Sequence, residues 1–111
     1  MSTSINGNIL TPEGWMRGEL RFHQRIDAIQ AFAADPSANG DDYIIPGFVD
    51  LHVHGAGGRD IMQGGDAAQV IARTHAKHGT TSMLATTMTA PPDDIVTALK
   101  AVGAAIATPL P

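Results

Sequence analysis

The chain has 111 residues, a formal net charge of −4 and no cysteine. The missing cysteine excludes a disulfide framework and a thiolate metal site, and the acidic balance offers no basic footprint for nucleic acid. Hydrophobic residues at 43% and charged residues at 16% describe an ordinary globular chain, with one domain as the expectation from length.

Trp15 and Tyr43 are each alone of their kind, so a core must come from Ala, Val, Ile, Leu and Met. The opening MSTSINGNILTPEGW has neither a basic nor an apolar segment of the secretory kind. No run of about 18 apolar residues predicts a membrane span. A soluble, cytoplasmic protein with no membrane partner is expected.

The first third reads as short strands joined by turns. NIL is a brief apolar run, and TPEG (Thr11 to Gly14) is a turn signal with Pro12 pre-setting φ. WMRGELRFH alternates, with Trp15, Leu20 and Phe22 as its apolar points. RIDAIQAF suits a strand or a short helix, and periodicity alone does not decide. ADPSANGDD, rich in Gly, Pro and Asn, is a loop. These parts add up to a small antiparallel β unit over residues 1–45.

The texture changes at Tyr43. YIIPGFVDLHV is apolar and β-branched, and its strand starts after Pro46-Gly47. GAGGRDIMQGG (Gly55 to Gly65) reads as one long glycine-rich loop. DAAQVIARTHAKHG has helical spacing: Asp66 suits the N-cap, Val70, Ile71 and Thr74 share a face, and Gly79 suits a left-handed close. TTSMLATTMT is a second β-rich run. APPDD then opens a second helix, with acids at the positive end of its dipole. Ile95, Leu99, Val102 and Ile106 form its apolar stripe, Gly103 weakens it, and Pro109 and Pro111 end it. Residues 46–111 therefore run strand, loop, helix, strand, helix, which implies parallel strands covered by helices.

Side chains alternate along a strand, so Asp50, His52 and His54 face one way and Val49, Leu51 and Val53 the other. The apolar row can pack under helices. Two imidazoles about 7 Å apart along the strand can converge on one cation, and neutral imidazole suits zinc. Asp50, deeper on the same face, is placed to orient a histidine as an acceptor. The glycines after His54 leave room for a ligand. Two surface histidines on a strand would have the same spacing, so both readings stand here. His75 and His78 also have ligand spacing, but Arg73 and Lys77 beside them favour a solvated helix face. His23 reads as structural or surface, and Met83 and Met88 as core filler. GAGG lacks the lysine and the spacing of a phosphate loop.

PGFVDLHVHGAGGRD (Pro46 to Asp60) resembles the metal-binding signature of the amidohydrolase superfamily. HGAGGRD together with HGTTSMLATTMT (His78 to Thr89) narrows the resemblance to the N-acetylglucosamine-6-phosphate deacetylases. The N-terminal GNILTPEGWMRGELRFHQRIDAIQ is similar to that family's small β-sandwich. The resemblance implies an α/β fold: strands of the sandwich over 1–45, then the first two β/α units of a TIM-like (β/α)8 barrel over 46–111. It implies His52 and His54 as ligands of a divalent metal, zinc foremost, with one or two ions in the whole enzyme. It implies an amino-sugar phosphate as the small-molecule substrate, released as glucosamine 6-phosphate and acetate, and a homodimer when the protein is full length.

The family's metal-binding Glu, its later histidines and its catalytic Asp have no counterpart in these 111 residues, and the substrate-binding residues are unknown. The chain is therefore expected to be an N-terminal piece, inactive alone, with no catalytic residue of its own. Two further readings remain: another amidohydrolase, either a cyclic amide hydrolase or a nucleobase deaminase, and a non-catalytic association module.

Overall fold

In a computed structural model, which describes residues 1–108, the chain divides into two compact units, Met1–Pro46 and the segment from Gly47 onward. The first is a four-stranded sheet. Strands β1 (Thr3–Thr11) and β2 (Gly14–Phe22) form an antiparallel hairpin paired from Thr3↔Phe22 to Thr11↔Gly14. Only Pro12 and Glu13 are left for the turn. The Thr11 hydroxyl closes it, donating to the Gly14 carbonyl at 2.9 Å, and Gly14 takes φ +114°, which a side chain would resist. RIDAIQAF resolves as a strand, β3 (Ile26–Ala33), antiparallel to β2. Strand β4 (Tyr43–Ile44) lies parallel to β1.

The register puts Ile5, Leu20 and Ile29 in one row, Gly7, Gly18 and Ala31 in the next, and Ile9, Met16 and Ala33 beyond. Alternation sends all three rows to one face, where Ile9 and Leu20 are buried. The ADPSANGDD loop holds a short 3-10 turn, Pro36–Ala38, capped by Asp35. Buried Asn8 secures that loop through a reciprocal amide pair: its Nδ2 donates to Asn39 Oδ1 at 2.9 Å, and Asn39 Nδ2 donates back to Asn8 Oδ1 at 3.1 Å. A buried amide without such partners would be costly.

The second unit is built on two parallel strands, β5 (Phe48–Val53) and, after a helical crossover, β8 (Thr80–Ala85). The segment between them is more ordered than its glycines suggest. A miniature hairpin of β6 (Gly55–Ala56) and β7 (Arg59–Asp60) is followed by a 3-10 turn, Ile61–Gln63. Gly57 and Gly58, both at positive φ, make the hairpin turn. Asp60 and Gln63 then form a reciprocal capping box.

Helix α1 (Ala67–Ala76) starts at Asp66, but the Asp66 carboxylate makes no cap bond. It pairs instead with Arg59 at 2.8 Å, while Arg59 Nε donates to Gln63 at 2.9 Å. The core joins Val53, Ile61, Ala67, Ala68 and Ile71. The buried face of α1 is thus Ala67, Ala68 and Ile71, with Val70 and Thr74 only half-buried beside it. Gly79 is left-handed as expected, at φ +90°.

Helix α2 (Pro92–Ala107) begins on Pro92, with Asp93 and Asp94 in its first turn. Its inward side is Ala98, with Val102 and Ala105 packed on the core. Leu99 and Ile106 are exposed, so the expected stripe of Ile95, Leu99, Val102 and Ile106 is displaced toward the alanines. Small side chains let this helix come closest along its alanine row. Pro109 and Pro111, expected to end the helix, lie outside the described residues.

Two further expectations change. Met83 packs on the core, but Met88 is exposed. His75 is not on a solvated face: it lines a groove of about 720 Å³ with Ala72, Met83 and Val102, and its Nε2 is shielded without a partner among the described residues. His78 is exposed. Among the described residues no helix is long and apolar enough to cross a membrane.

Candidate metal centre

Strand β5 carries the site. Val53 is buried in the core, which anchors the strand's C-terminal end. Val49 and Leu51 are exposed, so only Val53 of the predicted apolar row lies under the helices of the described chain. The pairing of β5 with β8 is also irregular. Asp50 pairs with Met83 and Val53 with Ala85, so three steps on β5 match two on β8. An extra residue in a strand bends it and re-aims side chains, a device common beside active sites.

The two imidazoles meet beside this irregularity. His52 Nε2 lies 2.9 Å from His54 Nε2, and the rings meet edge to face with centroids 4.7 Å apart. His54 is half-buried and His52 is exposed. His54 Nδ1 sits 2.9 Å from the Thr86 carbonyl oxygen. A carbonyl only accepts, so Nδ1 must carry the proton, and neutral His54 then presents an Nε2 lone pair. Asp50 does not reach a ring. Its carboxylate accepts the backbone N–H of His52 at 3.2 Å and so braces the strand where the register shifts.

The donor set suits a divalent cation. Two imidazole nitrogens bound to zinc at about 2.0–2.1 Å in tetrahedral geometry stand about 3.3 Å apart. The observed 2.9 Å is within a small ring movement of that value. Among the described residues no third His, Asp or Glu joins them. Two imidazoles alone would be an incomplete ligand set, since a catalytic zinc ordinarily has three protein ligands. His23 lies elsewhere, its Nδ1 3.0 Å from Asp27 on the exposed β2–β3 turn. The sequence reading missed Thr86, whose part is played partly by its backbone.

A parallel strand pair, its helical crossover and two imidazoles meeting past the end of one strand make an α/β unit with a candidate cation site. Residues 43–109 match the Amidohydrolase family, and the chain belongs to it. The N-acetylgalactosamine-6-phosphate deacetylase of Escherichia coli O157:H7 is 36% identical over 95 residues, covering 83% of this chain and 25% of that protein. The N-acetylglucosamine-6-phosphate deacetylase of Lysinibacillus sphaericus is 36% identical over 76 residues, covering 68% of this chain and 19% of that protein.

Among solved structures, a variant of the N-acetyl-D-glucosamine-6-phosphate deacetylase of Mycobacterium smegmatis, in complex with N-acetyl-D-glucosamine-6-phosphate, superposes with a TM-score of 0.74 at 25% identity. The match covers 96% of this chain and 30% of that one. A second structure of the deacetylase from that organism gives 0.67 at 26% identity, covering 97% and 32%. The chain thus spans a quarter or less of these two curated relatives and about a third of the solved structures.

Proposed function

We propose that this chain supplies the first metal ligands of a deacetylase acting on N-acetylglucosamine 6-phosphate, with glucosamine 6-phosphate and acetate as products. The convergence of His52 and His54 to 2.9 Å at the end of a parallel strand carries the reading. Membership of the amidohydrolase family and the deacetylases among its relatives support it. In this reading β5, α1, β8 and α2 are the first two β/α units of a (β/α)8 barrel, and the N-terminal sheet is part of a β-sandwich. The parallel pairing of β5 with β8 and the crossover helix between them are the supporting features.

His52 and His54 would hold a divalent cation, zinc foremost. Such a cation supplies water of lowered pKa and polarises an amide carbonyl. His54 keeps its proton on Nδ1 and offers Nε2. His52 reaches the same point from one turn of the pleat earlier, on a backbone braced by Asp50. Gly55 and Ala56, the first residues of the hairpin, place no bulky side chain directly after His54. Among the described residues no carboxylate joins the histidine pair, and the 111-residue chain alone is proposed to be inactive. A second substrate, N-acetylgalactosamine 6-phosphate, is favoured by the likeness to the Escherichia coli protein over 83% of this chain.

The test has two arms. His52→Ala and His54→Ala should each lower bound zinc, and unchanged stoichiometry would remove them from the site. Acetate release by a protein carrying the whole barrel should be chelator-sensitive and restored by zinc. Comparison of the two sugar phosphates would decide the substrate, and turnover of neither would reject the deacetylase reading.

A further inference from the structure

We infer that Thr86 is the positioning residue that sets the orientation and tautomer of His54. This rests on the proposed role of His54 in metal binding, but its geometry stands apart from any metal. Val53 is almost fully buried, so its backbone polar groups need partners within the protein. The register shift between Asp50 and Val53 disturbs the ladder that would provide them.

Thr86 repairs the gap at both ends of Val53. Its N–H donates to the Val53 carbonyl at 2.8 Å. Its Oγ1 accepts the Val53 N–H at 3.2 Å, and its O–H donates to the Leu84 carbonyl at 2.9 Å. Held this way, the third polar group of Thr86, its carbonyl, meets His54 Nδ1 at 2.9 Å. One residue just past the end of β8 thus grips the residue before His54 and the imidazole itself.

The hydroxyl is the part that substitution can remove. Thr86→Val keeps the shape and β-branching but leaves the Val53 N–H unpaired. The strand end must then shift to find another donor–acceptor arrangement, and the carbonyl moves away from Nδ1. Thr86→Ser retains the hydroxyl and should retain the geometry. Groups that orient a metal-ligating histidine typically alter affinity by about 10–100-fold.

The experiment uses protein labelled with 15N at histidine, with the His54 signals assigned by their loss in His54→Gln. Long-range proton–nitrogen spectra of the metal-free protein should show His54 as the Nδ1–H tautomer in the native protein and in Thr86→Ser. Thr86→Val should give a mixture of tautomers. Cobalt(II) titration should show affinity lowered about ten-fold or more in Thr86→Val and little changed in Thr86→Ser.

A native His54 protonated on Nε2 would overturn the inference even if Thr86→Val fails to fold. So would a folded Thr86→Val that keeps the native tautomer, or a Thr86→Ser as impaired as Thr86→Val. If cobalt binds no form of the protein, the metal reading fails, and the tautomer measurement still judges Thr86 by itself.

Discussion

Replacing Ile71 by Ala tests whether the metal site is held up by the small core beneath it. The Ile71 side chain is fully buried against Val53, Ile61, Ala67 and Ala68. Ile71→Ala deletes three carbons at about 0.8 kcal/mol each, about 2.4 kcal/mol in lost transfer energy. The residual cavity adds to this, for a total of about 3–4 kcal/mol within the usual range for Ile→Ala. Leu99→Ala is the control: Leu99 belongs to the predicted stripe of α2 but is 52% exposed, so a change within about 0.5 kcal/mol is expected.

Urea unfolding followed by the helical far-ultraviolet signal reports on the right unit, because α1 and α2 both lie beyond Gly47. Fluorescence of Trp15 reports on the first unit instead and should move much less. Val53 belongs to the same cluster and precedes His54, so cobalt affinity should fall in Ile71→Ala and not in Leu99→Ala. A loss below about 1 kcal/mol in Ile71→Ala, or equal losses in the two variants, would refute this account of the core.

Gly18→Val should destabilise the N-terminal sheet by about 1–3 kcal/mol, the ordinary cost of overpacking. A Cβ there would meet the backbone of Gln30 and Ala31 on β3, which cannot swing aside; a neutral effect on the Trp15 transition would show that β3 is not so close. Arg59→Lys should speed amide exchange over residues 55–66, because a lysine cannot bridge Gln63 and Asp66 together. Unchanged exchange would assign the loop's order to the Asp60–Gln63 box alone. The Asp35 carboxyl, hydrogen-bonded by the Ser37 hydroxyl and then by the Ser37 backbone N–H, has its pKa below the ordinary aspartate value. Its contribution is present above the ordinary aspartate pKa and is lost as pH falls through the lowered one. NMR titration should show that low midpoint, and Ser37→Ala should raise it; a midpoint indifferent to Ser37 would contradict the assignment.

Much of the architecture was legible because simple periods and punctuation carry it. Pro12 and Gly14 announce the first hairpin, and the order from Pro46 onward announces a parallel pair with a crossover helix. The failures occur where the backbone, rather than side-chain polarity, decides. The GAGGRDIMQGG segment looked structureless because its order comes from φ-permissive glycines and a reciprocal Asp60–Gln63 cap. Asp66 looked like a helix cap, but Arg59, folded back by the hairpin, takes its carboxylate. Helix α2 was rotated in the reading because hydropathy weights Leu99 and Ile106 above Ala98 and Ala105. Packing distance favours the alanines.

The histidine pair shows how these two kinds of information combine. The spacing of His52 and His54 predicts convergence only if β5 is a regular strand, yet the strand is irregular there. The rings still meet, because the deviation is fixed on both flanks. Asp50 holds the His52 amide from one side, and Thr86 holds Val53 and the His54 ring from the other. These two supports differ in how visible they were. Asp50 shares a face with the histidines and could be found by counting in twos. Thr86 is 32 positions from His54 and acts through a carbonyl, a group every residue owns. Only the parallel register of β5 and β8 makes it special. A site of this kind is therefore half written in side-chain spacing and half in strand register, and substitutions that shift the register should damage it as surely as loss of an imidazole.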